Sequence, residues 1–373
     1  MSAKVTPLVF VGGSRNSAVE ELLADAQEAV ALDTLERLSS CPEFEEPIVA
    51  TASRKLLRQL RDWPVRVIPD DESFHFGRVL AALIERFDVE HAFYIGGGAA
   101  PLLRADVLSK IGQMVLTNDR VLVPNNFFSC DFVAFSPASA IHRVAPPSID
   151  NDLAFRLQRE GGLQHLPLER SSATQMDVDT PTDVLILALH PHVGPNLRRF
   201  LDSADLDCSR LQDVSRFLTD PNAEVVVCGR VGSHMWAHLD SDLACRARVF
   251  SEERGMRANG RETRGEVRSL LGYQLQAVGP IQFFAQLAEL GNAAFIDSRV
   301  IFGHLGLKVS ATDRFNSDLL RAEEISDPTV RAFTHAAREA ERPAVLGGHS
   351  LVSGGLWALI EAAWLERDRA TKS

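Results

Sequence analysis

Excess positive charge, paired cysteines and long apolar runs are all missing from this sequence. Its 39 basic residues are outnumbered by 50 acidic ones, for a net charge of −11. Sequence-independent nucleic-acid binding runs on a basic footprint, so nucleic acid is not the expected partner. The five cysteines, Cys41, Cys130, Cys208, Cys228 and Cys245, are odd in number and widely spaced, with no CxxC pair. Neither a disulfide framework nor a zinc site is expected. No run approaches the ~20 apolar residues that cross a bilayer. Leu8–Val11 is too short for the apolar region of a signal peptide, which makes the cytoplasm the expected compartment. Lysine is also scarce, at five of the basic residues, but this excludes nothing mechanistic. What remains is a 373-residue chain, 45% hydrophobic and 24% charged, close to the globular average. General disorder and collagen are excluded, and two domains are expected at roughly 100–200 residues each.

The first half alternates strand and helix. Leu8–Val11 reads as a buried strand that stops at Gly12-Gly13-Ser14-Arg15-Asn16. A helix then starts near Ser17, with Glu20 three residues on as in a capping box. Its apolar positions Leu22, Leu23, Ala26, Val30, Leu35 and Leu38 fall at helical spacing. Ile48–Ala50, Val65–Ile68 and Ala92–Ile95 read as further strands. Lys55–Leu60, Phe76–Phe87 and Ala105–Ile111 read as the helices between and after them. Such a succession predicts an α/β fold, a mostly parallel sheet with helices on both faces. Ligands of these sheets bind outside the carboxyl ends of the strands, so the loops there carry the candidate functional residues.

Three loops stand out. Gly12-Gly13-Ser14-Arg15 lets a backbone approach a ligand closely, and the helix behind it offers N–H groups to an anion. Arg15 adds a fork suited to phosphate. The loop matches neither the P-loop nor GxGxxG, and a plain tight turn explains it equally well. The second loop is Gly96-Gly97-Gly98-Ala99-Ala100-Pro101-Leu102. The third is Asp177-Val178-Asp179-Thr180-Pro181-Thr182-Asp183. A strand through it places Asp177 and Asp179 on one face, a seat for Mg²⁺, which prefers oxygen ligands and shared phosphate. Thr180 caps a helix with Pro181 at its first position, and Asp183 belongs to that cap.

Together these segments resemble the nucleotidyltransferases of the nucleotide-diphospho-sugar transferase (GT-A-like) fold, in particular those of the molybdenum-cofactor and deazaflavin-cofactor type. The pattern is an N-terminal strand, a Gly-rich loop with an arginine, a central strand ending in Asp-x-Pro-Leu, and a late Asp-x-Asp-Thr-Pro-x-Asp. The resemblance covers roughly residues 5–190. It implies a nucleoside triphosphate on Gly12, Gly13, Ser14, Arg15, Gly97 and Gly98. It implies Mg²⁺ held by the central aspartate and by an acidic or amide side chain of the late motif, where Asp177 and Asp179 stand; Arg15, Asp177 and Asp179 are the candidate catalytic set. The reaction is transfer of a nucleotidyl group to a small phosphate-bearing or acidic acceptor, with release of pyrophosphate. Asn125 and Asn126 lie where the family faces its acceptor. Asp150 and Asn151 bind the acceptor or cap the helix Asp152–Glu160. The loop Pro69–Gly77, with His75 and Arg78, lies where the family contacts the base.

The chain departs from this pattern twice. Ala99-Ala100-Pro101-Leu102 replaces Asp-x-Pro-Leu, so alanine stands at the central metal-ligand position. The family's lysine downstream of the first loop is absent, the stretch reading Ala24-Asp25-Ala26-Gln27-Glu28-Ala29. Electrostatic stabilisation dominates such transfers. Either another group substitutes, or this half binds a nucleotide or sugar without transferring it. A glycosyltransferase of the same fold, releasing a nucleoside diphosphate, is the second enzymatic reading.

The expected domains are residues 1–190, a helical connection over 191–222, and an α+β domain over 223–373 with no recognised family. In the last, Arg246, Arg248, Arg254, Arg257, Arg261, Arg264 and Arg268 crowd into 23 residues, with a local charge near +3. Arg254 and Arg257 are candidates for an acidic acceptor. A solvated face with internal ion pairs is the plainer reading. Phe295–Val300 is expected to put Asp297 and Arg299 on one strand face. Gly347-Gly348-His349-Ser350 before a helix suggests a second anion cradle. Ser350 lacks the Gly-x-Ser-x-Gly context of a hydrolase. His304, His335 and His349 with Asp297, Asp313 and Asp318 lack metal-ligand spacing. The C-terminal half also offers a surface for a homodimer.

Overall fold

The computed structural model describes residues 3–69 and 74–371. Residues 70–73 of the loop Pro69–Gly77 lie outside the described residues. The strands are β1 Thr6–Val11, β2 Ile48–Thr51, β3 Arg66–Pro69, β4 Ala92–Gly96, β5 Val121–Pro124, β6 Phe132–Ser136, β7 Gln164–His165, β8 Glu224–Gly229, β9 Arg246–Ser251, β10 Ala293–Asp297 and β11 Ala344–Gly347. Helices through the first half are α1 Ala18–Ser40, α2 Arg54–Gln59, α3 Phe76–Arg86, α4 Ala105–Leu116, α5 Leu153–Arg159 and α6 Ser172–Gln175. Those that follow are α7 Pro181–Leu189, α8 Pro195–Ser203, α9 Ser209–Leu218, α10 Ser233–Asp242, α11 Leu270–Leu290, α12 Ser298–His304, α13 Ala311–Asp318, α14 Pro328–Arg338 and α15 Leu356–Ala370.

Packing divides the chain into two compact units. The first comprises Met1–Gly13, Ala24–Gln175 and Gly194–Leu197. The second comprises Ser14–Leu23, Met176–Val193 and Arg198–Ser373.

The first unit holds a seven-stranded sheet of order β3-β2-β1-β4-β6-β5-β7. Every pair is parallel except the two made by β6. All six residues of β1 are buried, as a strand covered on both faces requires. Strand alternation sorts its side chains: Val9 and Val11 join one core, Leu8 and Phe10 the other. In β4, Phe93 and Ile95 likewise part from Ala92 and Tyr94. The first core takes Leu35 of α1, Leu56 of α2 and Leu108 of α4; the second takes Leu80 of α3 and Leu157 of α5. Helices therefore cover both faces, as the alternation predicted.

The second unit has its own four-stranded sheet, of order β11-β10-β8-β9. All three strand pairs are parallel. Parallel neighbours need crossover connections, which here contain helices. The unit is thus α/β in detail, where α+β was expected. Its core joins Val226 and Cys228 of β8 and Ile296 of β10 to Phe283 and Phe284 of α11 and Phe333 of α14. Among the described residues no helix is long and apolar enough to cross a membrane.

Candidate functional site

In the first unit the strand order reverses at β1, since β2 lies to one side and the later β4 to the other. Such a reversal opens a crevice at the carboxyl ends of the strands. The loops after β1 and β4 meet there. Gly97 N–H donates to the Phe10 carbonyl at 2.7 Å. A Cβ on Gly97 would stand 3.0 Å from Val11 Cγ1 and 3.2 Å from Val11 Cα, so a side chain here would have to push Val11 aside. Gly12 is exposed and has open space where a Cβ would be. Gly13 is exposed and Gly98 half-buried. Ala99 and Ala100, in place of the expected carboxylate, are each 2% exposed.

Because β6 runs antiparallel, its start lies beside the carboxyl ends of β4 and β5. Gly96 N–H donates to the Asp131 carbonyl at 3.0 Å. Asn125 Oδ1 accepts the N–H groups of Asp131 and Phe132 at 3.0 and 3.2 Å, and its Nδ2 donates to Asp131 Oδ2 at 2.7 Å. Asn126 Oδ1 accepts the Phe128 N–H at 3.2 Å. Tyr94 O–H donates to Asp150 Oδ2 at 2.7 Å. Asn151 Nδ2 donates to Ser129 Oγ at 3.1 Å, and its carbonyl accepts the Cys130 N–H at 3.0 Å. The four residues proposed to face an acceptor therefore lie in the loops on either side of Asp131, and all three asparagine amides make contacts within those loops. Burial first, then the Asp150 carboxylate, pushes the Tyr94 phenol well above its ordinary range. The roles of Tyr94 and Asp131 were not assigned from sequence: Tyr94 reads as an ordinary core aromatic, and nothing in the spacing links it to Asp150.

Ser14 and Arg15 belong to the second unit and are exposed. The Ser14 hydroxyl donates to the buried Glu20 carboxylate, which also accepts the Asn16 N–H at 3.2 Å and the Thr312 hydroxyl at 2.7 Å. The hydroxyl bonds from Ser14 and Thr312 lead in lowering the Glu20 pKa.

The late motif departs from its sequence reading. Asp177 and Asp179 do not lie on a strand; Asp177 makes only an isolated bridge. The cause is the turn into α7, which begins at Pro181, too soon for a ladder to extend. Asp177 is half-buried, with Oδ1 accepting the Val178 N–H at 2.9 Å, and Asp179 is exposed. Asp183 caps α7 as expected. Its Oδ2 accepts the N–H groups of Asp179 and Thr180 at 3.1 and 2.7 Å, and the hydroxyls of Thr180 and Ser350 at 2.8 and 2.7 Å. Burial pushes its carboxyl up to about 7, partly opposed by the Ser350 bond. Among the described residues no group of three or more His, Cys, Asp or Glu side chains is placed to hold a metal ion.

Most of the arginine-rich segment is internally paired. Arg246 and Arg248 both reach Glu224 at 3.3 Å, Arg257 reaches Glu262 at 2.9 Å, Arg261 reaches Glu253 at 2.7 Å and Arg264 reaches Glu266 at 2.8 Å. Arg254 pairs with no carboxylate among the described residues. Asp297 and Arg299 do not share a strand face: β10 ends at Asp297, and Arg299 belongs to α12. Arg299 forks onto Asp318 at 2.7 and 2.5 Å, while Asp297 holds Arg230. The Arg230 partnership had no sequence signal, since the two residues are 67 positions apart.

No model of a known protein family matches the chain, and no curated protein matches it. Solved structures are similar to about half of it. A protein of Desulfovibrio desulfuricans G20 assigned as a nucleotide-diphospho-sugar transferase aligns at 14% identity and a TM-score of 0.39, over 55% of this chain and 100% of its own. A cytidylyltransferase from Leptospira borgpetersenii aligns at 14% identity and a TM-score of 0.39, over 54% of this chain and 93% of its own. CMP:2-keto-3-deoxy-manno-octonic acid synthetase, solved with CTP, aligns at 13% identity and a TM-score of 0.35, over 48% of this chain and 94% of its own.

Proposed function

We propose that this chain is a nucleotidyltransferase. The observation that carries the reading is the junction of two glycine loops at the sheet reversal, fastened by the Gly97-to-Phe10 hydrogen bond of 2.7 Å. Gly12, Gly13, Gly97 and Gly98 offer backbone to the triphosphate. Asn125, Asn126, Asp150 and Asn151 shape the acceptor side. An acceptor oxygen attacks the α-phosphorus; the new P–O bond forms as the bond to the β-phosphate oxygen breaks, and pyrophosphate leaves. No covalent protein intermediate is needed, and positioning provides much of the rate.

Magnesium is the ion suited to this reaction. It is bound through one or two carboxylates together with substrate phosphates, so the absence of a three-ligand cluster among the described residues does not conflict with it. Asp177 and Asp179 are the carboxylates of the late motif. Asp131 is the carboxylate beside the loop where Ala99 brings none. When bound, the ion neutralises charge on the phosphates.

Ala99 favours a second reading, a nucleotide- or sugar-binding protein without turnover. The test is calorimetry with a panel of nucleoside triphosphates and nucleotide sugars, with and without Mg²⁺, followed by product analysis. Binding with release of pyrophosphate is the expected result. Nucleoside diphosphate as the product identifies a glycosyltransferase, binding without turnover identifies the second reading, and no binding removes all three. Asp177→Ala with Asp179→Ala is expected to lower Mg²⁺-dependent turnover at least ~100-fold, on the scale of a lost electrostatic element. If turnover survives that pair and falls in Asp131→Ala, the metal role belongs to Asp131.

A further inference from the structure

The second unit has a charged edge of its own. Its sheet begins with β8, then places β9 on one side and β10 on the other. The order reverses at β8, so the carboxyl ends of β8, β10 and β11 are where a ligand of this unit would settle. Gly229 and Arg230 close β8, Asp297 closes β10, and Gly348 and His349 follow β11. Register pairs Asp297 with Gly347, which puts the β10 and β11 ends side by side.

The edge is tightly built. Gly229 has φ +123°, and a side chain there would collide with Asp297. Arg230 Nε and Nη2 donate to the two Asp297 oxygens at 2.6 and 3.0 Å. Both residues are buried, so this fork is a neutral pair that fixes the floor.

Three groups above that floor suit an anion. Arg254 is exposed, pairs with no carboxylate among the described residues, and lies over Gly232, its Nη2 3.6 Å from where a Cβ would be. Gly232 is the N-cap of α10, a helix of 10 residues, and no side chain caps it. The N-terminal end of that helix, with its partial positive charge, therefore lies beside the Arg254 guanidinium. His349 is half-buried, and its ring makes no hydrogen bond among the described residues. The charges acting on it are Arg230, Arg254, Asp297 and Asp179. Burial first, and the arginines next, hold its pKa down at about 4, so it is neutral at pH 7. A neutral imidazole can donate one N–H to a phosphate oxygen.

We infer that this edge is a ligand site of the second unit, which binds a phosphomonoester through Arg254, the N-terminus of α10 and the His349 ring. The inference does not depend on the nucleotidyl reading. A phosphomonoester suits it because one unpaired guanidinium and one helix terminus together oppose a compact dianion. Asp179 is the opposing carboxylate, and it is exposed.

The full chain is titrated calorimetrically with glycerol 3-phosphate, with inorganic phosphate and with glycerol, at constant ionic strength and without nucleotide. Saturable one-to-one binding of a phosphate is expected, with none of glycerol. Arg254→Gln is expected to weaken it at least tenfold. Arg264→Gln, which removes a guanidinium already paired with Glu266 in the same segment, is expected to leave it unchanged. Saturation should also raise the pKa of His349, followed through its ring protons by NMR. Tighter binding of the ester than of the free ion identifies an ester as the ligand; equal binding identifies phosphate itself. Wild-type affinity in Arg254→Gln overturns the assignment, as does an equal loss in Arg264→Gln, an unmoved His349 pKa, or no saturable binding.

Discussion

Asp183 lies wholly inside the protein with four hydrogen bonds to Oδ2 and none to Oδ1 among the described residues. Its carboxyl titrates near 7, against an ordinary 3.8, because burial disfavours the charged form. The unfolded chain therefore releases this proton at lower pH than the folded protein does. Below about pH 4 both states hold it and the group has no effect on stability. As pH rises toward 7 the unfolded state ionises freely, the folded state resists, and stability falls; above 7 the loss levels off. At roughly 1.4 kcal/mol per unit, the span is on the order of a few kcal/mol. Asp183→Asn keeps an acceptor for the cap and cannot ionise. Urea unfolding between pH 4 and 8 should show the wild type losing stability relative to Asp183→Asn across that window. Parallel profiles for the two proteins would show that Asp183 ionises normally.

Gly97 shows how one element depends on another. A Cβ there meets both Val11 methyls, at 3.0 and 3.1 Å, and the Val11 Cα at 3.2 Å. Side chains can rotate away, but the β1 backbone cannot, because all of β1 is buried. Gly97→Ala should therefore cost about 1–3 kcal/mol, as overpacking does, and should weaken nucleotide binding by shifting the Gly12–Gly13 loop. Gly12→Ala, which faces open space, should stay within about 0.5 kcal/mol of wild type. Thermal unfolding and nucleotide titration of the two variants separate packing from ligand contact. At this scale the first half was legible, because Leu8–Val11 and Ala92–Ile95 are apolar runs bounded by glycine, and Thr180-Pro181 is a sharp helix start. The failures have local causes. Asp177 and Asp179 alternate like a strand, yet the turn into α7 stops a ladder from forming. Phe295–Val300 alternates as a strand would, but β10 ends at Asp297 and α12 starts at Ser298. Periodicity cannot register an end imposed by tertiary packing, and it cannot pair Arg230 with Asp297 or Ser350 with Asp183 across long separations.

Over the whole molecule, the charge pattern bears on what the protein meets. The net charge is −11, and the seven clustered arginines are the feature that could contradict an acidic character. They do so weakly. Arg246, Arg248, Arg257, Arg261 and Arg264 each face a carboxylate within 3.3 Å. Exposed pairs of this kind add little stability, roughly 0–1 kcal/mol each, but they do cancel the field that would attract a polyanion. Arg268 donates to backbone carbonyls at Gly265 and Val267, and Arg254 is a single site rather than a stripe. Duplex binding neutralises several phosphates at once, with affinity falling steeply as salt rises. One unpaired guanidinium cannot support that, although it can hold a single phosphate against a helix terminus. The full chain should therefore leave a 30-base-pair duplex unshifted in a gel at about 100 mM salt, while still binding a phosphomonoester under the same conditions. A shifted duplex that is released by added salt would mean that the paired arginines open toward nucleic acid. In that case the acidic average would be the wrong guide to the partner.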